Sequence, residues 1–256
     1  MARSVADARL VLGEIAGLHP LDRYSFDVTL LDAARTAPSA LRVAVSEDLG
    51  FAPLDDDVRR VFRSAVARLE DAGVEIIRDD PGLQSSVQIW GTIATAESRR
   101  SESHELEHER ESLMDGTVEF LSWGEQVSLP QYLEAQFARE QLFRAYADLF
   151  LRTGAVALVT PTLGCEAFPH GTDHPETIGH VAIEPPWMDW ASFLYDANLA
   201  GLPACALPIG LGDDGLPVSM QLLGARAADG PLLAAAETVE SLVGFSSRAH
   251  EPAGTA

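Results

Sequence analysis

Residues 41–77 read Leu-Arg-Val-Ala-Val-Ser-Glu-Asp-Leu-Gly-Phe-Ala-Pro-Leu-Asp-Asp-Asp-Val-Arg-Arg-Val-Phe-Arg-Ser-Ala-Val-Ala-Arg-Leu-Glu-Asp-Ala-Gly-Val-Glu-Ile-Ile. Leu41 to Val45 is apolar and β-prone, and Asp55 stands where a helix cap belongs. Val58, Val61, Phe62, Ala65, Val66 and Leu69 then recur at helical spacing until Gly73 ends the run before Val74 to Ile77. Strand, helix and strand in that order predict a β-α-β unit. Such a crossover joins parallel strands and places helices on the faces of a sheet, so the fold class is α/β.

The neighbouring segments extend this pattern. Ser4 and Asp7 form a capping signature for an opening helix carrying Val5, Ala8, Leu12, Ile15 and Ala16 up to Gly17. Gln84 to Ser112 reads as one long polar helix, with the charge-dense run Glu97 to Glu111 as its solvated face. Pro130 opens another helix, with Leu133, Phe137, Leu142, Tyr146, Leu149 and Phe150, ending at Gly154. Ala155 to Val159 reads as a strand buried on both faces. Residues 163–186 form a long loop rich in Gly, Pro and His, a length more often functional than idle. Asp189 to Leu199 reads as a helix, Ala204 to Ile209 and Val218 to Leu223 as strands about the turn Asp213-Asp214-Gly215, and Asp229 with Pro231 opens a last helix ending near Gly244. With no repeat or linker, residues 1–256 read as a single domain with a disordered tail over 245–256.

Composition narrows the function. At 46% hydrophobic residues in 256, the chain can fill a globular core. No run approaches the roughly 18 to 20 apolar residues of a membrane span, and no secretory leader is visible. Two cysteines build no disulfide framework, so a cytoplasmic protein is expected. A formal charge of -21 repels phosphate and anionic lipid, which excludes nucleic acid and membrane as expected partners. All 18 basic residues are arginine.

The stretch Asn198-Leu-Ala-Gly-Leu-Pro-Ala-Cys-Ala-Leu-Pro-Ile-Gly210, followed by Asp214-Gly-Leu-Pro-Val-Ser-Met-Gln221, resembles the C-terminal core of the amidase signature family. Met1-Ala-Arg-Ser-Val-Ala-Asp7, Leu41 to Gly50 and Val159-Thr-Pro-Thr162 resemble three further segments of that family, in family order. The resemblance covers residues 1 to about 243. It implies the C-terminal part of an α/β/α fold with a mixed, partly parallel sheet, and an enzyme that in complete form cleaves carboxamide C–N bonds of a small-molecule amide through an acyl-serine intermediate, without a cofactor. One departure is that Ala155 and Ala157 lead into the Thr-Pro strand, where the family often has an acidic residue.

The family's triad is a serine nucleophile, a second serine on a cis peptide bond, and a lysine, the serines lying in a Gly-Ser-rich loop. The sequence has no such loop and no lysine. A serine hydroxyl attacks an amide only when a base takes its proton, and arginine, with a pKa above about 12, does not. The resemblance therefore implies a chain that begins just past its own active-site loop, is inactive alone, and has a separate N-terminal amidase half as a possible partner. No catalytic residue is assigned. Thr160, Trp187, Trp190, Phe193 and Leu194 are the expected substrate-binding residues, lining the acyl pocket; bulky apolar residues at such spacing also build cores.

Two alternatives stand beside this reading. One is a non-catalytic binding or regulatory module that keeps the pocket wall. The other is a zinc-dependent hydrolase built on His104-Glu105-Leu106-Glu107-His108, a literal His-Glu-x-x-His motif in a polar segment that offers no apolar face to bury it. His170, His174 and His180, with Asp173 and Glu184, lie in the long loop, where metal ligation, a place at the cleft mouth and plain loop residues are all open. No metal site is assigned. Cys165 lies five residues before His170, with Glu166 beside it to disfavour a thiolate. Asn198 and Gln221 read as hydrogen-bonded polar residues in apolar stretches, and Arg3 with Asp7 as a helix-end pair.

Overall fold

The computed structural model describes residues 1–25, 41–172, 174–183 and 188–245. The tail assigned to 245–256, Trp187, Asp173 and Glu184 therefore lie outside the described residues, apart from Phe245 itself. Strands β1 (Arg42–Val45) and β2 (Glu75–Arg78) pair in parallel, joined by helix α2 (Asp56–Asp71), as the opening stretch predicts. The first helix, α1, spans Val5–Ile15, with Ser4 Oγ accepting the Asp7 N–H at 3.1 Å. Strand β3 (Ala157–Pro161) pairs in parallel with the other side of β1 and is buried along its length. β6 (Ala204–Leu211) and β7 (Pro217–Gly224) form an antiparallel hairpin with a bulge between Pro208 and Gly210. β7 pairs antiparallel with β3, giving a mixed sheet in the order β2-β1-β3-β7-β6.

Helices cover the sheet because each has one apolar stripe to bury. All six predicted stripe residues of α2 are buried, and the helix packs on β3, β6 and β7 beside α8 (Asp229–Val243). A Cβ on Gly210 would lie 2.8 Å from Val61, and one on Gly224 3.2 Å from Leu232, so these glycines let both helices approach the hairpin. α1 rests on α8 through Val5, whose N–H donates to Glu240, and through the Arg9–Glu237 pair. By strand alternation Gln221 points to the opposite face, where its amide donates to the Phe193 carbonyl.

On that second face helices α3 (Val87–Ser101), α5 (Asp115–Gly124), α6 (Leu129–Thr153) and α7 (Tyr195–Ala200) pack on one another. The 25-residue α6 starts at a Ser128/Gln131 capping box with Pro130 in its first turn, and ends at left-handed Gly154. Among its expected apolar residues, Leu142, Tyr146, Leu149 and Phe150 are buried, whereas Leu133 and Phe137 face solvent.

Three elements differ from the sequence reading. The polar helix over Gln84–Ser112 breaks at Glu102 into α3, a six-residue α4 (Ser103–His108) and a 3₁₀ turn at Arg110–Ser112. Ser101 and Ser103 hydroxyls donate to the carbonyls of Ser98 and Arg100, offering the backbone a competitor to the helix. Asp189–Leu199 likewise splits into a 3₁₀ turn at Met188–Ala191 and α7, with Ser192 Oγ donating to the Asp189 carbonyl. The long loop holds a small hairpin, β4 (Thr177–Ile178) and β5 (Val181–Ala182), that turns at left-handed Gly179. Among the described residues no helix is long and apolar enough to cross a membrane.

Candidate active-site cleft

In an open α/β sheet, ligand crevices lie beyond the carboxyl ends of the strands. β1 and β3 are parallel neighbours, so their ends emerge together, and the Ser46 N–H donates to the Val159 carbonyl at 3.1 Å. Ser46 Oγ then accepts the Leu49 N–H at 3.0 Å, and Leu49 is held buried at φ 52. A leucine in the left-handed region is strained backbone, of the kind surrounding structure must enforce.

From β3, Thr160 is fully buried: its hydroxyl donates to the Pro161 carbonyl at 2.8 Å and accepts from Gln221 Nε2 at 3.1 Å. The same amide donates to the Phe193 carbonyl at 2.7 Å, and Phe193 is 1% exposed. Gln221 thus ties Thr160 to the segment carrying Trp190, Phe193 and Leu194, which fits its reading as a hydrogen-bonded polar residue. Thr160 and Phe193 are buried, and Trp190 and Leu194 are half-buried. The Trp190 ring meets Phe168 of the long loop edge-on at 5.4 Å. Asn198 Nδ2 donates to the Leu194 carbonyl at 3.0 Å.

Sequence reasoning missed Asp196. It is wholly buried on α7, accepting one hydrogen bond from the Ser86 hydroxyl and another, at 2.6 Å, from Tyr146 of α6. Burial pushes its carboxyl above the ordinary range, against the pull of the two hydroxyls. An acidic residue inside Phe193-Leu-Tyr-Asp-Ala-Asn-Leu199 was the available signal. Beside it Tyr195 packs on Trp90 at 4.7 Å and donates to the Met188 carbonyl; burial, then Asp189, pushes its phenol up to about 12.

A second unanticipated feature is a cleft of about 710 Å³ past the ends of β1 and β2, lined by Ser46, Glu47, Phe62, Arg63, Arg78 and Asp79 among others. None of the expected pocket residues lines it. Arg63 donates twice to Glu47, and this guanidinium above all holds the Glu47 carboxyl below its usual range. Arg78 and Asp79 are paired too, with Glu70 at 2.9 Å and with Arg152 at 2.9 Å.

Other candidates for chemistry are not assembled. Cys165 has its thiol pushed up to about 11 by burial, then by Asp55 and Asp57, so it stays protonated near neutrality. His104 and His108 stand exposed on α4, and His170 and His180 are exposed in the long loop. Among the described residues no three His, Cys, Asp or Glu side chains converge as a metal site.

The sequence model of the amidase family, described as Amidase, matches residues 1–233. The chain belongs to the amidase family. This amidase-family chain is 26% identical over 247 residues to an acylamidase of Rhodococcus erythropolis, an alignment that covers 94% of the chain and 51% of the relative. It is 27% identical over 220 residues to an amidase of Pseudomonas putida, covering 84% of the chain and 47% of that protein. The fold matches that of a bacterial aryl acylamidase of the amidase signature enzymes with a TM-score of 0.81 at 23% identity, over 96% of the chain and 52% of the acylamidase. The amidase-family chain thus spans about half the length of the curated relatives it matches.

Proposed function

We propose that residues 1–256 form the substrate side of an amide-hydrolysing enzyme, and that this stretch alone does not turn over an amide. The observation that carries the reading is a chemical deficit inside a family fold: the 256 residues contain no lysine and no Gly-Ser-rich loop. The lysine that serves as base in the family's relay is missing from these residues, and arginine, which keeps its proton, cannot replace it. The share of the site borne by this stretch is the acyl-pocket wall, Thr160, Trp187, Trp190, Phe193 and Leu194. Trp190 and Leu194 are the surfaces a small carboxamide reaches, and Thr160 and Phe193 hold them in place.

The two serines and the lysine come from further amidase polypeptide, joined or separate. Two features support its docking here. Leu10, Val11, Ile15 and Leu18 expose an apolar surface on and beyond α1, and β6 pairs only with β7 among the described residues. The names acylamidase and amidase among the relatives support an amide as the substrate. The acyl-serine route uses no cofactor, and two free thiols, Cys165 and Cys205, support a cytoplasmic location. The charged cleft beside Arg63 and Arg78 favours a second reading, a binding or regulatory module without catalysis.

The test is amide turnover by purified residues 1–256, alone and mixed with an amidase segment carrying the Gly-Ser-rich loop and lysine. The first reading expects activity only in the mixture. Activity alone contradicts it, and a mixture that binds but stays inert favours the second.

A further inference from the structure

Helix α4 holds His104 and His108 one turn apart, both exposed, with ring centroids 4.6 Å apart and planes inclined by 25°. His108 Nδ1 faces the His104 carbonyl oxygen at 3.0 Å, so Nδ1–H donates there and the Nε2 lone pair is left outward. Histidines that ligate metals characteristically fix their tautomer through such a bond from the second nitrogen. Between the two rings in sequence lies Leu106, the buried residue of the short helix. The charge around the pair is negative: Glu102, Glu105, Glu107, Glu109 and Glu111 flank it. Glu105, half-buried, has a buried carboxylate oxygen without a hydrogen-bond partner. Arg99 is engaged by Glu125 at 2.8 Å and lies 3.9 Å from Glu107.

We propose that His104 and His108 bind one divalent transition ion of borderline softness, zinc, nickel or copper, through two imidazole nitrogens, with water completing its coordination. Imidazole donors select such ions over magnesium and calcium, which take oxygen ligands. The site is not a hydrolytic one. Hydrolytic zinc sites use three protein ligands in a shaped cavity, and among the described residues no third ligand joins this pair, which stands in open solvent. Its effect falls on α4 itself. A six-residue helix is far below the length that sustains itself in water, and an ion bridging residues four apart binds only the helical form.

The experiment is calorimetric titration of untagged residues 1–256 with zinc chloride and nickel chloride, with magnesium chloride as control. The expected result is one transition ion per chain, no magnesium binding, and affinity weakened about tenfold or more in both His104→Ala and His108→Ala. Both sites are exposed, so circular dichroism of the variants should match the parent. His170→Ala should bind like the parent. Cobalt(II) titration should shift the visible absorption band of the aqua ion, a shift that either α4 variant diminishes. Absence of zinc and nickel binding overturns the proposal, as does binding that survives unchanged in both variants.

Discussion

The Tyr146 hydroxyl donates to Asp196 at 2.6 Å, joining α6 to α7 through two side chains with no solvent exposure. Ser86, just before α3, donates to the other oxygen of the same carboxyl, so one buried acid links three helices on the pocket side of the sheet. Among the described residues no arginine pairs with it, and its two hydrogen bonds come from neutral hydroxyls.

That arrangement gives a pH dependence of definite sign. Burial raises the folded pKa of Asp196 above the unfolded value, so the folded state favours the protonated carboxyl. The resulting stability is fully present below the unfolded pKa, about 3.9, and is lost as pH rises through the folded value. Asp196→Asn removes this loss, since an amide needs no proton and both hydroxyls can turn to suit it. The unfolding free energy of the parent should therefore gain on that of the variant as pH falls from 7 towards the unfolded pKa of about 3.9. A difference that stays constant over this range would show that the carboxyl does not titrate with folding.

Gln221 is the second test of the pocket side. Its amide satisfies the Phe193 carbonyl and meets Thr160, both buried. Gln221→Leu should cost about 1 to 3 kcal/mol, the usual penalty for stranding a buried polar partner. Trp190 fluorescence should also shift as its segment loosens. Denaturant unfolding with parallel fluorescence checks both, and an unchanged spectrum would separate stability from pocket geometry.

Helices α3 and α5 meet at Gly124, where an added Cβ would lie 2.2 Å from the Thr95 carbonyl oxygen. The obstruction is backbone, which cannot swing aside. Gly124→Ala should destabilise by about 1 to 3 kcal/mol despite alanine's better helix propensity. A thermal midpoint at or above the parent's would mean that the two helices separate freely.

What could be read from the sequence depended on how far apart the interacting residues lie. The β-α-β unit was legible because its stripe from Val58 to Leu69 and its stop at Gly73 are local periodicities, and the hairpin turn at Asp213 to Gly215 is equally local. The Asp196 network was not. Its partners are 110 and 50 residues away and leave no pattern in any window. The breaks at Glu102 and Ser192 were missed for another reason: serine hydroxyls there donate to nearby backbone carbonyls, a competitor to helix bonds that apolar periodicity does not register. Thr160 and Phe193 were singled out by the resemblance to the family, whereas the Gln221 amide that joins them across 61 and 28 residues leaves no local pattern.

The proposed inability of this stretch of an amidase fold to activate a serine can be read in one step, by intact-mass measurement after incubation with a serine-directed fluorophosphonate. The expected spectrum is identical to that of untreated protein; a stoichiometric adduct on any serine of residues 1–256 would contradict the proposal.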